Sequence, residues 1–114
     1  MTKRKFRWIE IPPETDLPME GQVRSLRVQG RMVCMARKGG KLLAMKNQCP
    51  HAGGPMGMGW LNEKGDIVCP LHRFTFDPQS GRSTDGQSFY VEVYEVRADL
   101  DGMFVGIPKR GWFG

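Results

Sequence analysis

Two short stretches hold most of the metal-binding chemistry of this chain: Cys49-Pro50-His51 and, seventeen residues further on, Cys69-Pro70-Leu71-His72. The sequence has only three cysteines and two histidines, and four of those five residues fall in this pattern. Each half pairs a thiolate-forming side chain with an imidazole, and each stands where a β-rich run ends. Two soft and two borderline donors on paired loops make a metal site. Zinc fingers usually keep their cysteines in one half and their histidines in the other. Here each half mixes the two, with one intervening residue in the first and two in the second. The mixed set is the one in which two histidines replace two cysteines on one iron of a [2Fe–2S] cluster. Each loop must then give a cysteine to one iron and a histidine to the other. A zinc site, or a packed thiol–imidazole cluster without metal, is the alternative reading of the same residues.

The elements that must carry these loops read as strands. Glycine (15 of 114 residues) and proline (8) punctuate the chain too often for long helices, and short β-rich runs lie between them. A first strand is expected at Phe6–Ile11, stopped by Pro12-Pro13, since proline cannot donate to a ladder. An acidic loop follows at Glu14–Gly21. Val23–Val28 and Arg31–Arg37 read as a hairpin turned at Gln29-Gly30, and Lys38-Gly39-Gly40 turns the chain into Lys41–Asn47. Residues 49–60 (CPHAGGPMGMGW) are glycine-rich and uncharged, unlike a solvated polar loop. The turn Asn62–Asp66 leads into Ile67-Val68-Cys69, the loop Pro70–Phe74 and a short strand Thr75-Phe76-Asp77, with Asp77 structural. Ser88–Val96 (SFYVEVYEV) is the run richest in β-branched and aromatic residues, and Asp101-Gly102 is expected to turn it into Met103–Ile107.

With 39% hydrophobic and 25% charged residues, the chain is neither disordered nor membrane-embedded, and its length suits one domain. Its longest purely apolar run, Met32–Ala36, is far too short to span a bilayer. The start, MTKRKFRWIEIPPETD, shows no apolar secretory core, and three cysteines are too few for a disulfide scaffold, so a cytoplasmic location is expected. The net charge of +5 is concentrated at the ends: Lys3, Arg4, Lys5 and Arg7 against Glu10, then Lys109 and Arg110. A nucleic-acid binder would carry a basic stripe over its folded face. The terminal cations read as solubilising tails or as a weak attraction to an acidic partner.

The chain resembles the Rieske family. The residues that carry the resemblance are Cys49-Pro50-His51 with a glycine and Pro55 after it, Gly59, Val68-Cys69-Pro70-Leu71-His72, Phe76-Asp77 and Ser80-Gly81. The likeness is close over residues 42–82 and weaker from about Val23 to Ile107. It implies an all-β fold, an antiparallel β-sandwich or small barrel with a six-stranded base and a loop-rich cluster-binding subdomain at its tip. The whole chain, 1–114, would be one such domain, with the base at about 6–45 and 83–107 and the cluster-binding part at about 46–82. The resemblance assigns Cys49 and Cys69 to the buried iron and His51 and His72 to the outer one. The departures place the chain in the soluble, ferredoxin-type branch. Membrane-bound relatives carry a disulfide where this chain has Gly54 and Leu71, and sulfur-bonding hydroxyls where it has Phe74 and Phe76. The family's usual glycine after the second histidine is Arg73, and Arg82–Ser88 has no proline with which to form the family's covering loop.

The function so implied is one-electron transfer from a reductase to a terminal oxygenase. Two ferric ions, two sulfides and two thiolates sum to zero charge, so reduction adds a single negative charge near solvent. No substrate pocket and no catalytic acid–base pair is visible, so the chain reads as a carrier rather than an enzyme on its own, with no nucleic-acid or membrane partner. Two alternatives stand beside it: the small, Rieske-like subunit of a nitrite reductase, and a zinc-stabilised β-module for binding. Cys34 reads as a small buried hydrophobe. Met56, Met58, Trp60, Leu71 and Phe74 read as packing around the ligand loops or as an apolar docking surface. Arg73 is a solvated residue, a contact for an acidic partner, or a counter-charge to the reduced site. Trp112-Phe113 would pack on Trp8 or touch a partner.

Overall fold

Turn chemistry organises the base of the molecule. The computed structural model describes residues 5–51 and 53–109. Strands β1 (Phe6–Ile11), β2 (Val23–Val28), β3 (Arg31–Lys38) and β4 (Lys41–Lys46) form first, and β8 (Val93–Asp99) and β9 (Gly102–Pro108) complete a six-stranded antiparallel sheet in the order β1-β9-β8-β4-β3-β2. Gln29 and Gly30 both take positive φ (50° and 80°) between β2 and β3, as do Gly39 and Gly40 (63° and 77°) between β3 and β4. Those are the φ signs that a two-residue hairpin turn needs to match the twist of its strands. The edge strands β1 and β2 curl toward each other, and the Gln29 side-chain amide donates to the Glu10 carbonyl at 3.3 Å across the seam.

The second hairpin and the last one depart from expectation at their edges. Lys38 pairs with Lys41, so the turn is Gly39-Gly40 alone and Lys38 belongs to β3. Asp99 pairs with Gly102, so the last turn is Leu100-Asp101 rather than Asp101-Gly102. Its Asp101 amide bonds to the Asp99 carboxylate at 2.8 Å, which fixes the turn one residue earlier. The expected strand Ser88–Val96 begins only at Val93 and runs on to Asp99. Its first half has another partner: the Val91 amide donates to the Gly81 carbonyl, and Arg82 bridges Tyr90.

The tip is inserted between β4 and β8. It contains a single 3-10 turn (Met56–Met58) and a small three-stranded sheet of β5 (Trp60–Leu61), β6 (Ile67–Val68) and β7 (Thr75–Phe76). Both ends of the insertion are anchored on one ladder, where Met45 pairs with Val93.

Two apolar cores share β3. Val33 and Met35 point into the barrel core with Ile9, Ile11, Val28 and Val105, while Cys34 and Ala36 point into a tip core with Met45, Met56, Ile67 and Phe76. This explains the apolar residues Val33–Ala36 of the run that begins at the exposed Met32: a strand covered on both faces has no solvent side to make polar.

Candidate metal centre

The first loop leaves β4 and closes on itself. The Cys49 amide donates to the Gly54 carbonyl at 2.7 Å, and the Gly53 amide returns to the Cys49 carbonyl at 2.8 Å. Gly53 stands at φ 76°, which lets this reversal close without a side-chain clash. Asn47 pins the loop from below, its carbonyl oxygen accepting from the Gly57 amide at 2.7 Å and the Ser25 hydroxyl at 3.3 Å. The second loop caps the β6–β7 hairpin. There the Cys69 amide donates to the Phe74 carbonyl at 2.8 Å, and His72 and Arg73 both lie in left-handed backbone at φ 64° and 57°.

These loops bring the four predicted donors together as two pairs. Cys49 and Cys69 are both buried and unoxidised. The exposed His51 and His72 rings meet edge to face with centroids 4.9 Å apart. Among the described residues no three such side chains stand close enough to share one ion; the donors divide into a buried cysteine pair and an exposed histidine pair. Burial pushes the Cys69 thiol up to about 11, and the neighbouring Cys49 adds to the rise. The Leu71 amide hydrogen-bonds to the Cys69 sulfur and pulls the other way. A thiol this reluctant to ionise becomes a thiolate in neutral solution only when a cation compensates it.

Aromatic rings enclose the histidines from the side. Phe74 lies 4.1 Å from His51 between centroids, and Phe89 stands 5.4 Å from the same ring and stacks on Phe74 at 5.9 Å. Phe89 supplies the cover that sequence reasoning left unplaced. The segment before it folds back on β7 through Thr84, whose amide bonds to the Thr75 carbonyl at 2.9 Å, and through Asp85, which accepts the Thr75 amide at 3.1 Å. The local sequence signal at Phe89 is an aromatic residue in a β-rich run, which points to a strand and not to a lid.

The remaining sequence candidates separate. Met56 is fully buried in the tip core, whereas Met58, Trp60 and Leu71 are exposed and Phe74 is half-buried. Leu71 lies over Gly54 so closely that a Cβ on Gly54 would come 2.5 Å from its Cδ1. The two positions that carry a disulfide in membrane-bound relatives are therefore in contact here through packing. Asp77 is structural as expected, accepting from the Gln79 amide and the Ser80 hydroxyl. Cys34 is fully buried, and burial raises its thiol to about 12. Trp112-Phe113 and part of the basic termini lie outside the described residues. Trp8 instead carries the Arg97 guanidinium, 4.6 Å above its ring.

Comparison with known proteins gives the same picture. The family model of the Rieske [2Fe-2S] domain matches residues 7–95. The chain is 34% identical over 99 residues to the ferredoxin component of the naphthalene 1,2-dioxygenase/salicylate 5-hydroxylase systems of Ralstonia sp, covering 82% of this chain and 93% of that protein. Among solved structures, the ferredoxin of carbazole 1,9a-dioxygenase from Nocardioides aromaticivorans IC177 superposes with a TM-score of 0.67 at 26% identity, covering 92% of this chain and 99% of that one. A chain assigned as the NADH-dependent nitrite reductase small subunit of Mycobacterium tuberculosis superposes at 0.69 over 93% and 97% of the two chains. At 20% identity that likeness concerns the fold alone.

Proposed function

This chain belongs to the Rieske [2Fe-2S] domain family, and on that premise we propose that Cys49, His51, Cys69 and His72 hold a [2Fe–2S] cluster with which it carries single electrons from a reductase to an oxygenase. The observation that supports the reading is the pairing itself: the two cysteines are buried, and the two histidines of the same loops are exposed and in ring contact. When bound, the cluster supplies a one-electron redox couple. The cysteines would hold its inner side, where Met45, Met56, Ile67, Phe76 and Val91 exclude water from the sulfurs. His51 and His72 would hold its outer side, and their exposed edges are the part of the site that a docked protein can touch. Phe74 and Phe89 fix the plane of His51 without offering it a proton. No helix of the described chain is long and apolar enough to cross a membrane. Three unpaired cysteines support a reducing location such as the cytoplasm.

Anaerobic purification followed by visible and EPR spectroscopy of the dithionite-reduced protein tests the cofactor. A red-brown protein with a reduced-state EPR signal is expected, and its reoxidation should be accelerated by a terminal oxygenase component. A colourless protein that binds zinc in a one-to-one ratio would overturn the reading in favour of a zinc-stabilised module.

A further inference from the structure

Arg73 is a long side chain in a backbone conformation that favours glycine. It sits at φ 57° directly after His72 at φ 64°. Two successive non-glycine residues in that region store strain that glycine would release. The arginine is exposed, and among the described residues it makes no hydrogen bond, ion pair or ring contact. Nothing among the described residues therefore accounts for an arginine at this position.

Its surroundings do. The two ligand loops span residues 47–62 and 69–76, and the only Lys, Arg, Asp or Glu in them is Arg73; the segment that presents Phe89 adds Asp85, whose carboxylate accepts from the Thr75 amide and the Ser83 hydroxyl. Around it stand exposed Leu71, half-buried Phe74 and the two exposed imidazoles. A lone unpaired guanidinium on an apolar, aromatic face combines contact area with one directional anchor. The group that matches that anchor in shape and charge is a carboxylate, which takes two parallel N–H bonds. A nucleic-acid backbone would need several cations on the same face.

We propose that Arg73 is the docking residue of this tip, pairing with a carboxylate on the surface of the redox partner and so seating that partner over the histidine edges. This rests on the electron-carrier reading above. The strain at residue 73 is then the cost of placing a cation beside His72.

The test uses the cluster-loaded protein, reduced with dithionite and mixed with two acceptors in stopped flow: ferricyanide, an anion, and tris(phenanthroline)cobalt(III), a cation. Each takes one electron from the protein. At low salt, Arg73→Gly should slow ferricyanide about threefold and Arg73→Glu about tenfold, the cobalt complex should speed up in both, and Arg73→Lys should keep the wild-type ratio. The differences should collapse at about 1 M salt. Poly-L-glutamate should compete with ferricyanide in the wild type and not in Arg73→Glu. Midpoint potentials from voltammetry separate a changed driving force from a changed approach. The thermal midpoint of Arg73→Gly should rise by about 2–4 °C as the strain is released. An unchanged acceptor ratio in both Arg73→Gly and Arg73→Glu would overturn the proposal. So would a lowered thermal midpoint in Arg73→Gly, which would make the arginine structural, or competition by a DNA duplex and not by poly-L-glutamate. If the wild type takes up no cluster, the carrier reading itself fails; if it does and only the variants behave alike, Arg73 alone is refuted.

Discussion

Cys34 and Cys69 are both fully buried in the tip core, yet they should answer mutation in opposite ways. Cys69→Ser removes a donor whose metal bond is also folding energy for the tip. The iron content and visible absorbance of that variant should vanish, while far-ultraviolet circular dichroism retains the β signal of the base. Cys34→Ala should leave the spectrum intact and cost about 1–2 kcal/mol in chemical denaturation, as the loss of a small buried side chain. Iron loss in Cys34→Ala would instead make Cys34 a donor. The residues around the sulfurs also set a potential. Hydrogen bonds to the sulfurs raise the reduction potential. The Leu71 amide donates one to Cys69, but Phe74 and Phe76 carry no donor. A midpoint near the low end of the Rieske range, roughly −150 to 0 mV, is expected in protein-film voltammetry. Phe76→Tyr should move it upward by some tens of millivolts. A wild-type midpoint near +300 mV would show that donors other than these two side chains dominate.

At the scale of elements, what could be read in the sequence was whatever short-range chemistry decides. Strands β1 and β2 and the turns Gln29-Gly30 and Gly39-Gly40 follow from alternation, proline and left-handed turn formers, all within a few residues of each other. The four proposed donors stand out in the sequence for the same reason, since their types and spacing are local. Long-range pairing decided the rest. Ser88–Glu92 has every propensity of a strand, but Phe89–Val91 pair with residues 81–83 and only the Glu92 carbonyl reaches β4, at Lys46, so that Phe89 becomes a cover for His51. Within the acidic loop Glu14–Gly21, the Glu20 carboxylate accepts both amides of the Gly39-Gly40 turn at 2.7 Å each, a long-range contact that the sequence does not show. Asp85 performs a similar task for the covering segment. The Ser83 hydroxyl, and after it the Thr75 and Gln87 amides, hold its carboxyl below the usual range. A carboxylate whose folded pKa is depressed contributes stability above its unfolded pKa, and that contribution is lost as pH falls through the folded value. The difference in thermal midpoint between wild type and Asp85→Asn should therefore be full at about pH 6 and shrink as pH falls below the usual aspartate range. A gap that does not shrink in acid would mean that Asp85 acts by shape and not by charge.

The whole molecule is two cores built on either side of one strand, and this gives the loss of metal a definite outcome. The tip core has only two-residue strands of its own, β5, β6 and β7, and leans on β3 and β4, whereas the barrel core is closed by the six-stranded ladder. Stripping the metal with a chelator under anaerobic conditions should therefore split one calorimetric transition into two, a small early one and a larger late one; a single transition would mean that the cores melt as a unit. Cys34 sits on the wall between them, facing the tip from a strand of the base. While the tip is shut, its thiol is out of reach and, at about 12, almost wholly un-ionised. Once the tip lifts, it is uncovered on a strand that still stands. Its alkylation rate by iodoacetamide is thus a clock for tip opening, readable by mass spectrometry in a protein that is otherwise folded. With metal bound the clock should run at the pace of global unfolding, and after chelation at the much faster pace of the tip alone.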